Sequence, residues 1–259
     1  MIRRNRHGDW LIIDQVEHAR LAGELAAVWG NERVQGVPPF PKIVWGVTHH
    51  DDGWSEWDKA PRLDPETGFP RSFMEMRMGD STAIWTRSIS VCSADPMAGI
   101  GVSRHFCYLA EQALKHRPTQ AENREVINRF LQEQALVQSR LKEIASSNDP
   151  RPAAEQHLEK NCHRAFRTIR FFDAISLWLC CAEQDQPETF TAPLGDAIQF
   201  EPIDSHRIVA DPYPLSCDSL HLQTPARRVP ARRYASDDEF QRTLRAAAVE
   251  QLGWTIAPV

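Results

Sequence analysis

The 259-residue chain reads as a mainly α protein, a helical body followed by a smaller β-rich C-terminal part. Three observations predict this. Between about Asp14 and Gln184, apolar residues recur at helical spacing over long segments. After Gln184 the pattern turns to short alternating runs broken by Pro, Gly and Asp, such as "AIQFEPI" and "HRIVADPYPL". Hydrophobic residues make up 42% of the chain and charged residues 25%, enough apolar material to fill one substantial core. The expected division is a helical domain over 1–184 and a β-rich subdomain over 185–259, packed on it and able to pair with the N-terminal strand.

Taken in order, residues 1–13 predict a short strand or hairpin. "DQVE" places Glu17 three residues after Asp14, the capping-box spacing, and opens a helix that runs to about Gly30. A loop, "GVPPFP", leads to a second helix from about Lys42 to Trp54, followed by a long loop, "EWDKAPRLDPETGFPRSF", rich in turn residues. Further helices are expected at roughly 79–94, 99–116, 120–146 and 153–183. Strand-like runs then follow in "TFTAPLG", "AIQFEPI", "HRIVADPYPL" and "SLHLQTP". "SDDEFQRTLRAAAVEQL" opens on a Ser/Asp cap and predicts a final helix.

Composition narrows the function classes. The net charge of -5 argues against nucleic acid as a partner. The basic run "ARRVPARRY" (Ala226 to Tyr234) is interleaved with prolines and is expected to be a solvated β-edge. No stretch approaches the ~18 uninterrupted apolar residues of a membrane span, and the apolar run Trp10 to Ile13 is too short for a signal peptide. A cytoplasmic location is therefore expected. Six cysteines without Cys-x-x-Cys spacing are expected to be reduced core thiols. A small-molecule substrate is the expected partner, and homodimerisation stays open.

The stretch "VTHHDDGWSEWD" (Val47 to Asp58) crowds titratable groups together, and helical periodicity says which face inward. Ile43, Val47, His50 and Trp54 share one stripe, with Asp51 on its flank, while His49 and Asp52 point away. His18 sits within the stripe of Leu21, Ala22, Leu25 and Trp29. His105 lies beside the Val102/Leu109 stripe, and Asp173 shares a face with Cys162, Phe166, Ile169, Leu177 and Cys180. Each residue alone has an ordinary explanation as a hydrogen-bonded core group, and Asp173 can be read as an ion-pair partner of Arg170. Together, imidazoles and carboxylates on the inward faces of several helices each carry a burial penalty that one cation relieves. The expected ligands are His18, His50, Asp51, His105 and Asp173. The expected cofactor is a divalent transition metal (Mn, Fe, Zn, Co or Ni), with Mg suited less well.

The order His18, His50-Asp51, Asp173 resembles the HD superfamily of metal-dependent phosphohydrolases, which implies an HD-domain-like helical bundle and one metal on those four residues. A closer resemblance, carried by "HARLAGELA", "HHDDGWSEWDKAPRLDPETG", "GVSRHF" and "FFDAISLWLC", is to the bacterial family domain of unknown function 3891. It covers the chain from about Gln15 to the β-rich part and implies no particular reaction. The doublet here runs into "DGWSEWD" without the Lys or His usual after it in HD hydrolases. On this reading Asp51 ligates the metal and orients a nucleophile, and His105 donates a proton or holds a second metal. Arg104 and Arg170 are candidates for phosphate oxygens, each with an ion pair as the ordinary alternative, and Trp57 and Asp58 for a substrate lid. Three functions fit: a hydrolase of a small phosphorylated compound or phosphodiester, a non-haem (di-)iron oxygenase, and a non-catalytic metal- or ligand-binding protein.

Overall fold

The computed structural model describes residues 1–34, 41–116, 121–147 and 154–259. The expected loop "GVPPFP" lies almost wholly outside them. An N-terminal hairpin, β1 (Ile2–Arg6) and β2 (Asp9–Ile13), turns at His7 and Gly8, both at positive φ. Seven main helical segments follow: α1 (Gln15–Ala27), α2 (Pro41–His49), the short α3 (Ser55–Lys59), α4 (Met78–Cys92), α5 (Pro96–His116), α6 (Ala121–Ser147) and α7 (Ala154–Cys181). The chain ends with β3 (Glu188–Thr191), β4 (Ala197–Pro202), β5 (Arg207–Asp211), β6 (Leu220–Pro230), α8 (Asp237–Ala246) and β7 (Val249–Pro258).

The strands form one seven-stranded sheet in the order β1-β2-β6-β7-β5-β4-β3. Its ladders are antiparallel except β5 with β7. β2 lies against β6, with Trp10 opposite Val229, so the first residues of the chain and its C-terminal part share one layer. This corrects the expectation of a mainly α, HD-domain-like helical bundle with a β appendage: the fold is mixed α and β, with a full sheet as one of its layers.

The reason is local. "VEQL" continues the last predicted helix without a break in its pattern, yet Leu252, Trp254 and Ile256 are buried in alternation, the period of a strand. β7 therefore stands between β6 and β5 and ties the two halves of the sheet together. The basic run starts inside the sheet and leaves it: Ala226 and Arg227 pair with β7, Arg227 to Pro230 pair with β2, and Ala231 to Arg233 lie exposed beyond β6. Arg228 is held by Glu250 at 2.5 and 2.9 Å.

Period two also divides the sheet's faces. Leu11 and Ile13 pack with Leu21, Phe172, Phe200, Leu222 and Trp254 in the main core beneath the helices, while Trp10 and Ile12 point the other way, with Phe240 and Leu244 of α8. α8 carries a true N-cap, in which Ser236 accepts from the Glu239 amide. Asp14 caps nothing with its side chain, so the capping box expected at α1 is not formed. α1, α2, α5 and α7 converge on one side of the main core, and their inward faces meet where the titratable residues lie.

Candidate metal centre

His18 projects from the second turn of α1 and is fully buried. α1 can approach α2 closely because residue 23 is glycine: a Cβ there would stand 2.0 Å from Thr48 Oγ1 and 3.0 Å from Thr48 Cα. α2 stops at His49, earlier than the expected Trp54, so His50 and Asp51 lie in the turn beyond it. Their inward aim comes from that turn rather than from helical periodicity. His50 Nδ1 donates to the Val47 carbonyl at 2.7 Å, which directs Nε2 into the cluster. The Asp51 carbonyl accepts from the Trp54 amide at 3.0 Å, and the Gly53 amide donates to Ser88 Oγ at 2.9 Å. The turn is thus pinned on α4. His49 and Asp52 pair with each other at 2.8 Å on the half-exposed side, as the periodicity implied.

α5 and α7 supply His105 and Asp173. His18 Nε2 lies 3.2 Å and His50 Nε2 3.3 Å from Asp173 Oδ1. Asp51 Oδ2 lies 3.6 Å from His18 Nε2 and 3.9 Å from His50 Nε2. The other oxygen of Asp173, Oδ2, lies 3.8 Å from His105 Nε2. Two overlapping sets of donors result, His18/His50/Asp51 and His50/His105/Asp173, each with its atoms within 4.8 Å of one another. Asp173, with a side chain 15% exposed, is the most open of the five.

These spacings suit a shared cation better than direct hydrogen bonds. A charge-assisted bond between imidazolium and carboxylate closes to about 2.7–2.9 Å. Two ligands each about 2.1 Å from one metal lie roughly 3.0–3.4 Å apart at cis-octahedral or tetrahedral angles. The two contacts to Asp173 Oδ1 fall in that range, and the two to Asp51 need only a few tenths of an ångström of closure. His18 and His105 aim Nε2 at the cluster, and among the described residues their buried Nδ1 atoms have no hydrogen-bond partner.

The electrostatics split the two carboxylates. Burial opposes ionisation of both, and on Asp51 it wins and raises the pKa. On Asp173 the bonds from His18 and His50, with the charge of nearby imidazoles, override burial and hold the carboxyl well below its usual range. Burial also resists a charge on His50, but Asp51 and Asp173 outweigh it and lift the imidazole to about 9. His105 has no such compensation, and burial pushes it down to about 4. Without a metal, then, the cluster holds a proton on His50 as its internal cation.

The remaining predicted residues are placed as follows. Arg104 is bound to Glu159 at 2.8 and 3.1 Å. Arg170 does not pair with Asp173; its guanidinium lies 3.8 Å from the centroid of Tyr108. Trp57 is half-buried against Trp54, Met76 and Ile84, with Arg62 5.9 Å from its ring. Asp58 is buried, accepting from the Gln15 amide at 2.8 Å and lying 2.8 Å from the amino nitrogen of Met1.

Neither the curated proteins nor the solved structures contain a match to this chain. The family model described as "Protein of unknown function (DUF3891)" matches residues 1–231, which include every residue of the cluster, and the chain belongs to that family.

Proposed function

We propose that this protein is a metal-dependent hydrolase of a small phosphorylated compound or phosphodiester, with Mn, Fe, Zn, Co or Ni on His18, His50, Asp51 and Asp173. The observation that carries the proposal is the convergence of four donor atoms from three separate parts of the fold, at 3.2–3.9 Å. Nitrogen and carboxylate oxygen together are the donor set of such metals. When bound, the cation supplies Lewis acidity at a phosphoryl oxygen and acidifies water.

The chain's own groups do the rest. Asp173 stays ionised and spans the cluster, one oxygen toward His18 and His50, the other toward His105. His105 faces the other oxygen of Asp173, with Nε2 3.8 Å away, where it can hold a second cation. Arg170 has no carboxylate partner among the described residues and lies one helical turn, about 4.5 Å of rise, from Asp173. Its planar fork is suited to phosphate oxygens.

The test is weak hydrolysis of bis(4-nitrophenyl) phosphate with added Mn(II), alongside elemental analysis of variants. His50→Ala and Asp51→Ala are expected to lose metal and turnover together, and His49→Ala to keep both. Equal metal in all three would refute the site. Bound metal with no turnover across a phosphoester panel would favour the oxygenase or the non-catalytic reading, and Fe(II)-dependent oxygen uptake would decide for the former.

A further inference from the structure

α6 buries Ile127, Phe130, Gln134 and Leu141 against the body and contributes none of the five cluster residues. Its opposite face is exposed. There Arg129, Glu133, Leu136, Arg140 and Glu143 follow one another at intervals of four, three, four and three, the spacing of a helix-pairing seam. At 3.6 residues per turn they fall within an arc of about 80°. Leu136 is 73% exposed. A lone exposed leucine calls for no explanation, but the charges placed about it do. Glu133, Arg140 and Glu143 make no ion pair among the described residues. Arg129 has Glu125 of its own helix, 3.1 Å away, with both side chains largely exposed. Such a pair contributes little and is readily exchanged for another.

The signs are ordered about Leu136. Arg129 lies seven residues before it and Glu143 seven after, while Glu133 lies three before and Arg140 four after. A second α6 laid antiparallel, with a two-fold axis through Leu136, sets each Arg129 against the other copy's Glu143 and each Glu133 against its Arg140. The two leucines meet at the centre, and Glu125 falls opposite Ser147, so like charges do not oppose each other along the seam. A parallel pair would instead set every charge against its own copy. We propose that this face of α6 binds a second copy of the chain, as an antiparallel helix pair with four ion pairs about a leucine contact. Exposed ion pairs are individually weak and screened by salt, so the dimer is reversible and salt-sensitive. Nothing in this inference depends on the hydrolase reading.

Sedimentation equilibrium of the full chain tests this. The parent is expected to show a monomer–dimer equilibrium that weakens as salt is added. Arg140→Glu is expected to weaken the dimer about tenfold or more, because two ion pairs become repulsive contacts. Combining it with Glu133→Arg should restore affinity to within about threefold of the parent, since the exchanged charges again face one another. Cross-linking reads the register. Leu136→Cys should form a disulfide between copies on mild oxidation. Arg129→Cys should not, because its two copies stand roughly 21 Å apart along the helix and a disulfide needs Cα atoms within about 7 Å. An unchanged circular dichroism spectrum shows that each variant keeps its fold. A parent that stays monomeric up to about 1 mM, a dimer indifferent to Arg140→Glu, a double variant no tighter than Arg140→Glu alone, or equal cross-linking at both cysteines would overturn the proposal.

Discussion

Asp173 is the residue on which the cluster turns, because its two oxygens face different imidazoles. Asp173→Asn keeps the shape and removes the charge. It should lower affinity for Mn(II) by at least ~10–100-fold, since it removes a ligand where losing even an outer-shell partner has that effect; metal-binding titration reads this directly. His50 sets the pH dependence. Its folded pKa of about 9 lies above the ordinary 6.5, so its contribution to stability is complete below pH 6.5 and is lost as pH climbs through about 9. His105, depressed to about 4, works in the opposite sense: its contribution is present above pH 6.5 and fades as pH falls toward 4. Chelator-treated protein should therefore lose Tm between pH 6.5 and 9. With Mn(II) the decline should flatten or reverse, because a cation takes the place of the His50 proton. Parallel declines with and without metal would show that no cation uses this site.

At the scale of elements, the turn from His50 to Trp54 does the positioning, and Gly53 allows it to sit on α4. A Cβ at residue 53 would stand 2.2 Å from the Ile84 carbonyl oxygen and 2.6 Å from the Ser88 amide nitrogen, both backbone atoms that cannot swing aside. Gly53→Ala should cost about 1–3 kcal/mol in chemical denaturation and reduce bound metal, because α4 and the turn must separate. Unchanged stability and metal content would show that the turn is not held this tightly. The same turn explains what was legible in the sequence. His18, His105 and Asp173 lie inside long helices, where a period of 3.6 reports facing faithfully. His50 and Asp51 were aimed correctly by a periodicity that does not extend to them, since α2 ends at His49. β7 was hidden because an alanine-rich helix runs almost directly into it, leaving only the alternation of Leu252, Trp254 and Ile256 as its mark.

For the whole molecule, β7 decides whether sheet and helices behave as one body. The family match ends at residue 231, and all five cluster residues precede it, yet β5, β4 and β3 join β6 only through β7. Removing residues 232–259 would strip β6 and β5 of their shared neighbour and take away Leu252, Trp254 and Ile256, all buried. It would also remove Phe240 and Leu244, which cover Trp10 and Ile12 on the far face of the sheet. At roughly 1.5–3 kcal/mol for each buried large side chain, these five together are comparable to the 5–15 kcal/mol that typically separates folded from unfolded chains. A chain ending at Ala231 is therefore expected to be insoluble or to lack a cooperative unfolding transition by circular dichroism, and to bind no Mn(II). The metal cluster should fail with it, because α1 follows directly on β2 and α7 packs over the sheet through Phe172. If the shortened chain instead unfolds in one sharp transition and still takes up metal, the helices hold the cluster alone, and the sheet is an addition to the site rather than its foundation.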